Sequence, residues 1–324
     1  VRTKTVGGRL AIPSRPDAAA GTSTPRAGVR GLLAGLLRTA RPRQWVKNVL
    51  VASAPLAAGQ VREPRVLVAT GLAFVIFCVA ASAVYFLNDA VDVAADRAHP
   101  RKRERPVAAG IVPLPLAYAC AAVLAALAIL IAVLATNVPT AVVTAIYLTV
   151  NGLYCVRLKH VLVLDLALVS SGFLLRAVIG GTAAALPLSQ WFLLVAGFGS
   201  LFMVAGKRYS EMVVMGQDAA RSRPSLAGYT PSYLRFVWGT AAAVTIMTYC
   251  LWAFQISAST ARGSSGVPWP ELTVVPFCFA FLRYAFYVDS GRAGEPEDVV
   301  LGDPVILLLG LGWVALFALG VSHV

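Results

Sequence analysis

The sequence predicts an all-α polytopic membrane protein with nine transmembrane helices. Three observations carry that prediction. Of its 324 residues, 58% are hydrophobic and 13% charged, and the mean hydropathy is +0.74, more apolar sequence than a soluble domain can use. The apolar residues gather into nine runs, at 46–60, 67–87, 112–135, 138–155, 161–186, 190–206, 233–256, 268–288 and 304–322. Several approach the roughly 20 residues that cross a bilayer core, while the first and sixth are short. The cations are shared unequally among the connections, in the manner of the positive-inside rule.

Residues 1–30, rich in Arg, Pro, Gly, Ser and Thr, read as a disordered basic tail with no apolar h-region of a cleavable signal. Residues 31–324 then form one transmembrane domain. At its start Leu32, Leu33, Leu36 and Leu37 share one face between Arg30 and Arg38, the pattern of a short helix lying on an anionic leaflet. The first run opens with Arg41-Pro42-Arg43-Gln44-Trp45-Val46-Lys47-Asn48. Lys47 has the reach to snorkel to the interface; Asn48 has not, and a cavity-facing role suits it better.

Orientation follows from the loops. With the N-terminus inside, the inside loops hold Arg97, Arg101, Lys102, Arg103 and Arg105, then Arg157 and Lys159, then Lys207, Arg208, Arg221 and Arg223; the outside loops hold Arg62, Arg65 and Arg262. This asymmetry favours N-in and C-out; the expected location is the plasma (inner) membrane. The net charge of +13 therefore marks contact with membrane lipids, not with nucleic acid. The polar clusters also fall on the cytoplasmic side, where the chemistry should face. Cys78, Cys120, Cys155, Cys250 and Cys278 lie in or beside apolar runs and read as packing residues. His99, His160 and His323 do not make a zinc site.

The second run ends in Asn88-Asp89-Ala90-Val91-Asp92-Val93-Ala94-Ala95-Asp96. At about 100° per residue, Asp89, Asp92 and Asp96 fall on one helical face with Asn88 beside them. Like charges at that spacing repel unless a cation sits among them, and oxygen-only donors suit Mg²⁺ or Mn²⁺ bridging to a phosphate. Arg103 and Arg105 follow, and metal with nearby Arg or Lys is a common way of holding a leaving diphosphate. A solvated acidic helix end is the alternative.

A second cluster runs from Asn151 through Tyr154 and Lys159 to Asp165. Arg176 lies three turns after Asp165 on the same face. Charges inside a membrane helix are costly and by default face a polar cavity, although an ion pair between helices is the structural alternative. Lys207 and Arg208 close the sixth run, where Lys207 and Glu211 are also spaced to pair. The connection holding Asp289, Glu295, Glu297, Asp298 and Asp303 is acidic and reads as a solvated loop, a cover or a metal ligand.

On these residues the chain resembles the UbiA superfamily of intramembrane prenyltransferases. NDAVDVAAD fits that family's NDxxDxxxD motif, and the resemblance spans roughly residues 38–323. It implies a UbiA-type bundle with a polar cavity on the cytoplasmic side. The family's second motif, DxxxD, is incomplete: Asp165 has Val161 and Val169 four residues to either side. RPRQWVKN, YCVRLKHVLVLD, FLLRAVIGG, KRYSE and GEPEDVVLGD instead resemble the branch that joins phosphoribosyl pyrophosphate (PRPP) to a polyprenyl phosphate, decaprenyl phosphate in particular, in cell-wall arabinan synthesis. PRPP and the lipid bring several phosphates, and the surplus of cations over metal carboxylates suits them.

That resemblance implies a Mg²⁺-dependent pentosyltransferase, with Mn²⁺ as the other candidate ion. Asn88, Asp89, Asp92 and Asp96 would hold the metal; Asp92, Asp96, Lys159 and Asp165 would be catalytic. Lys47, Asn48, Arg103, Arg105, Tyr154, Arg176, Lys207 and Arg208 would form the substrate-binding pool. A homo-oligomer is compatible with the sequence. Two other functions stay open: prenyl transfer to an aromatic acceptor, and lipid-phosphate transport, although no matched halves with broken helices are evident.

Overall fold

The computed structural model describes residues 28–215, 228–260 and 267–322. Residues 1–27 of the expected tail, Arg221, Arg223, Arg262 and His323 lie outside the described residues, while the tail's last two positions, Val29 and Arg30, already belong to a helix. Those described are helical or in connections, and seven helices are long and apolar enough to cross a membrane, where the sequence predicted nine.

Helix α1, Val29–Ala40, comes first. Its Leu32 and Leu36 pack on the core with Phe86, Ala90 and Val112, while Leu33 and Leu37 remain exposed. The leucines expected on one face therefore split, one pair toward the bundle and one away. Arg41 ends α1 in the left-handed region at φ 52°.

Here the first of the nine expected spans fails. Residues Pro42–Ala52 form a 3-10 helix, followed by the short α2, Ser53–Ala57. The physical reason is lateral docking. Asn48 and Val51 are each 1% exposed, and the segment packs against α3, Pro64–Val91, and α7, Leu164–Ala183. Gly180 of α7 permits this: a Cβ there would stand 1.8 Å from the Val51 carbonyl oxygen.

Helix α3 begins at a proline, favoured in the first turn because its missing N–H has no helical partner anyway. Its buried Ala73, Ala80, Ala81 and Ala83 let neighbouring backbones approach closely. Then follow α4, Val93–Ala98; α5, Leu114–Ala135; and α6, Val138–Val156. The side chain of Asn137 caps α6 by accepting from the Thr140 N–H at 2.9 Å. The second half comprises α8, Gln190–Met215; α9, Pro231–Thr260; α10, Trp269–Leu272; α11, Val274–Asp289; α12, Pro296–Gly302; and α13, Pro304–Ser322. The spanning set is α3, α5, α6, α7, α8, α9 and the continuous stretch Trp269–Asp289. The ninth expected run, 304–322, is helical over those same residues in α13, capped at its start by Asp303, but its described apolar part, Pro304–Gly320, is shorter than the seven spanning helices.

Two cores result. Phe77, Ile76, Tyr147 and Ile179 fill one, between α3, α6 and α7; Phe202, Leu234, Tyr284 and Val288 fill the other, between α8, α9 and α11. Helix α7 serves both, with Ile179 in the first and Leu166 in the second.

Gly180→Ala is expected to force the Val51 segment off α7, at a cost of about 2–3 kcal/mol for overpacking. Thermal unfolding in detergent checks this: the midpoint falls by several degrees, and an unchanged midpoint would mean the close approach is not required.

Candidate functional site

The loops after α3 and α6 meet at one end of the bundle. Helix α3 stops at Val91 and the chain bends at Asp92, φ −88° and ψ 5°, before α4. The single acidic face predicted for Asp89, Asp92 and Asp96 is interrupted by one non-helical residue: Asp89 and Asp96 stay together, and Asp92 is paired separately. Asp89 and Asp96 are 2% and 3% exposed. Arg41 Nη2 lies 2.5 Å from Asp89 Oδ1, and Arg105 Nη1 lies 3.3 Å from Asp89 Oδ1 and 2.7 Å from Asp96 Oδ2. Asp92 pairs with Lys159 Nζ, brought in by the 3-10 turn Leu158–His160. The Asn88 side chain faces the Cys155 thiol at 3.7 Å. Arg97 donates to the Ala108 carbonyl at 3.0 Å and so folds back the loop that carries Arg105.

These residues fit a divalent cation in chemistry, though not yet in placement. Among the described residues no group of three or more His, Cys, Asp or Glu side chains is positioned to hold a metal ion. The donors are nonetheless hard oxygens. Asp89 Oδ1 and Asp96 Oδ2 lie within about 6 Å of one another with the Arg105 guanidinium between them, so two of the three carboxylates already surround a positive charge. Asp92 stands apart from them, paired with Lys159.

Arg176 forms a second cluster deeper in the bundle. It is 7% exposed and donates to Asn48 Oδ1 at 2.9 Å, the Gly172 carbonyl at 2.6 Å and the Tyr147 hydroxyl at 3.1 Å. Its guanidinium also lies over the rings of Tyr147 and Phe173. Asn48 in turn faces Cys78 at 3.3 Å. The cavity-facing role expected for Asn48 is thus corrected: its amide is committed to the interior, where it holds the 3-10 segment to α7. The neighbouring Lys47 is the residue that reaches the cavity.

That cavity has a volume of about 680 Å³. Lys47, Tyr154, Lys207 and Arg208 line it, and the rest of its wall is mainly apolar. Beside it Asp165, 1% exposed, accepts from the Tyr229 hydroxyl and lies 3.7 Å from Arg208 Nη2. Tyr229 also accepts from the Val163 N–H at 2.6 Å, holding the left-handed turn at Val163, φ 69°. Burial and the Asp165 carboxylate hold the Tyr229 phenol well above its ordinary value. Among the described contacts Asp165 shares no partner with the other three aspartates; the cation beside it is Arg208. Arg103 is exposed and makes no ion pair with the aspartates; Arg105 alone of that pair enters the site.

The acidic connection is a cover, one of the roles the sequence left open. Glu295 pairs with Lys207 at 3.1 Å, and Pro296 lines the cavity. Asp303 anchors it, accepting from Arg283 Nε at 2.8 Å, the Tyr287 hydroxyl at 2.6 Å and the N–H groups of Val305 and Ile306. Sequence reasoning missed Arg41, Tyr147 and Tyr229 as site residues. The Arg-Pro-Arg run beside α1 was a signal for Arg41; the tyrosines carry none, since their partners lie 29 and 64 residues away.

The profile described as the UbiA prenyltransferase family matches residues 48–302. The chain belongs to that family. It is accordingly an integral membrane protein. It is 51% identical over 289 residues to the decaprenyl-phosphate phosphoribosyltransferase of Corynebacterium glutamicum, covering 88% of this chain and 86% of that one. With the protein of the same name from Mycobacterium tuberculosis it shares 50% identity over 288 residues, covering 88% and 93%. Among solved structures, a UbiA homolog from Archaeoglobus fulgidus bound to GPP and Mg²⁺ superposes with a TM-score of 0.65 at 15% identity, covering 89% of this chain and 99% of that one. This last likeness concerns the fold.

Burial would raise the Asp303 carboxyl, but the hydrogen bonds from Tyr287, Arg283 and the two backbone N–H groups outweigh it and hold the group below the usual carboxylate range. A depressed folded-state pKa contributes stability that is fully present above about pH 4 and is lost as pH falls through the folded value. Wild-type thermal stability should therefore decline on acidification below about pH 4. Asp303→Asn should be less stable at neutral pH and lose less on acidification; parallel profiles for the two proteins would refute the anchoring role.

Proposed function

We propose that the protein transfers the 5-phosphoribosyl group of PRPP to a polyprenyl phosphate, decaprenyl phosphate in the first instance, releasing diphosphate. The observation that carries this reading is identity of about one half, over 88% of the chain, with proteins named decaprenyl-phosphate phosphoribosyltransferase. The site supports it chemically. Arg41, Arg105 and Lys159 stand around the aspartates, and Lys47, Lys207 and Arg208 line the neighbouring cavity. A reaction joining a phosphorylated sugar diphosphate to a lipid phosphate needs cations on both sides.

Asp89, Asp92 and Asp96, with Asn88 beside them, would hold a divalent cation, Mg²⁺ in preference to Mn²⁺. When bound, that ion supplies charge neutralisation for the departing diphosphate. The protein's own cations do the rest on the donor side. Lys159 and Arg105, released from their carboxylates, turn to the diphosphate oxygens and stabilise charge as the C1–O bond breaks. The ribosyl carbon is oxocarbenium-like at that point. A lipid phosphate oxygen attacks C1 from the opposite face, so α-PRPP gives a β-linked product. The nucleophile is already ionised and needs no strong base, which leaves Asp165 to orient Arg208 and its surroundings. The same reading places the N-terminus and the site on the cytoplasmic side of the plasma membrane, the C-terminus outside, and the product in the supply of arabinose donor for cell-wall arabinan.

The test uses purified protein in detergent with Mg²⁺, ribose-labelled PRPP and decaprenyl phosphate. A parallel reaction contains polyprenyl diphosphate and 4-hydroxybenzoate. Label entering an organic-extractable product is expected; prenylation in the parallel reaction without label transfer would replace this reading with aromatic prenyl transfer. Asp92→Asn and Asp96→Asn should each lower turnover by on the order of 10²-fold or more, with folding retained by size-exclusion profile. Lys159→Ala should lower kcat strongly. EDTA should inhibit reversibly, and full activity under chelation would remove the metal from the scheme.

A further inference from the structure

Nine cavity-lining positions of α8 fall on one face of that helix. They run from Phe192 through Ala196, Gly199 and Met203 to Lys207 and Arg208, with the three- and four-residue spacing of a single helical stripe. From Phe192 to Arg208 this stripe is about 24 Å long at 1.5 Å per residue. It is apolar for most of its length and cationic at one end. Phe173 of α7 and Phe277 and Phe281 of α11 contribute to the same wall.

The cationic end is incomplete as it stands. Arg208 is 4% exposed, and its Nη1 has no hydrogen-bond partner among the described residues. The nearest carboxylate oxygens are Glu211 Oε2 at 3.9 Å from Nη1 and Asp165 Oδ2 at 3.7 Å from Nη2, both beyond hydrogen-bonding distance. Asp165 Oδ2 is likewise buried without a hydrogen bond. Leaving a buried guanidinium N–H unbonded is costly, and Arg208 lines the cavity. Its neighbour Lys207 is 4.0 Å from Glu211 and 3.1 Å from Glu295. Of the three carboxylates around these cations, Asp165 and Glu211 are fixed in helices. Glu295 lies in the cover and its side chain is 61% exposed.

We infer that Arg208 and Lys207, with Lys47 beside them, seat the phosphomonoester of the polyprenyl acceptor. Its isoprenoid chain runs along the apolar stripe of α8 toward Phe192, and Glu295 is the resident counter-ion that the phosphate displaces. The inference rests on the acceptor named above. A phosphomonoester also occurs at C5 of PRPP. The long apolar wall leading away from the cations selects the lipid, because a sugar phosphate has no surface to bury there.

The experiment measures direct binding of decaprenyl phosphate to the full-length protein without PRPP, and steady-state KM for each substrate. Lys207→Gln is expected to weaken lipid binding and raise the lipid KM about tenfold, the loss of one charge-assisted contact, with the PRPP KM unchanged. Gly199→Leu, filling the middle of the stripe, should do the same. Glu295→Gln should lower the lipid KM several-fold by removing the competing carboxylate. These positions avoid the folding risk of replacing buried Arg208. A rise in the PRPP KM alone in Lys207→Gln would give the seat to the 5-phosphate and overturn the inference. So would wild-type lipid binding in both Lys207→Gln and Gly199→Leu. A wild-type protein that binds the lipid through Lys207 but transfers nothing from PRPP would leave the seat standing and defeat the transfer reading instead.

Discussion

The carboxylate of Asp89 sits at the end of a 28-residue apolar helix with 2% of its side chain exposed. A charge in that position is tolerated only if it is paired. Two guanidiniums pair it, Arg41 from the turn after α1 and Arg105 from the loop after α4. That requirement organises one end of the molecule. It fixes the end of α1 against α3, folds the loop of residues 99–113 back beneath the bundle, and through Arg105 carries Asp96 into the same network. Removing one partner from such a buried set typically costs 3–5 kcal/mol, so the polar end is a structural element as well as a reactive one.

Arg176 meets the same constraint by other means. Its described hydrogen-bond partners are neutral, the amide of Asn48, the carbonyl of Gly172 and the phenol of Tyr147, with two aromatic faces beside it. The consequence is positional. A 3-10 segment too short to cross the membrane is held against α7, where Gly180 leaves room for its backbone, and Lys47 is delivered to the cavity. The two cores share α7, so the aspartate end and the cavity are carried on one frame.

The arrangement divides the proposed reaction by charge type. On one side three carboxylates and three cations are nearly balanced, suited to a diphosphate that arrives with a divalent ion. On the other, a small cationic patch opens onto a long apolar wall, suited to a phosphate attached to a hydrocarbon. Lys159, from the turn after α6, and Tyr154, from α6 itself, belong to these two sides. A single short stretch of chain therefore touches both.

The sequence by itself determined the membrane class, the family resemblance and the acidic motif, because hydropathy and i, i+3, i+7 spacing are local properties. It also marked Asp165, Arg176, Lys207 and Arg208, since charges in apolar runs stand out whatever the fold. It did not determine the number of spans: an apolar run of fifteen residues reads alike whether it crosses a bilayer or docks sideways on a neighbouring glycine. Nor did it determine which cation meets which anion. Arg41 and Asp89 are 48 residues apart, Lys159 and Asp92 are 67 apart, and Tyr229 and Asp165 are 64 apart. Such pairings are set by helix packing and by the need to neutralise each buried charge, and only the tertiary structure decides them.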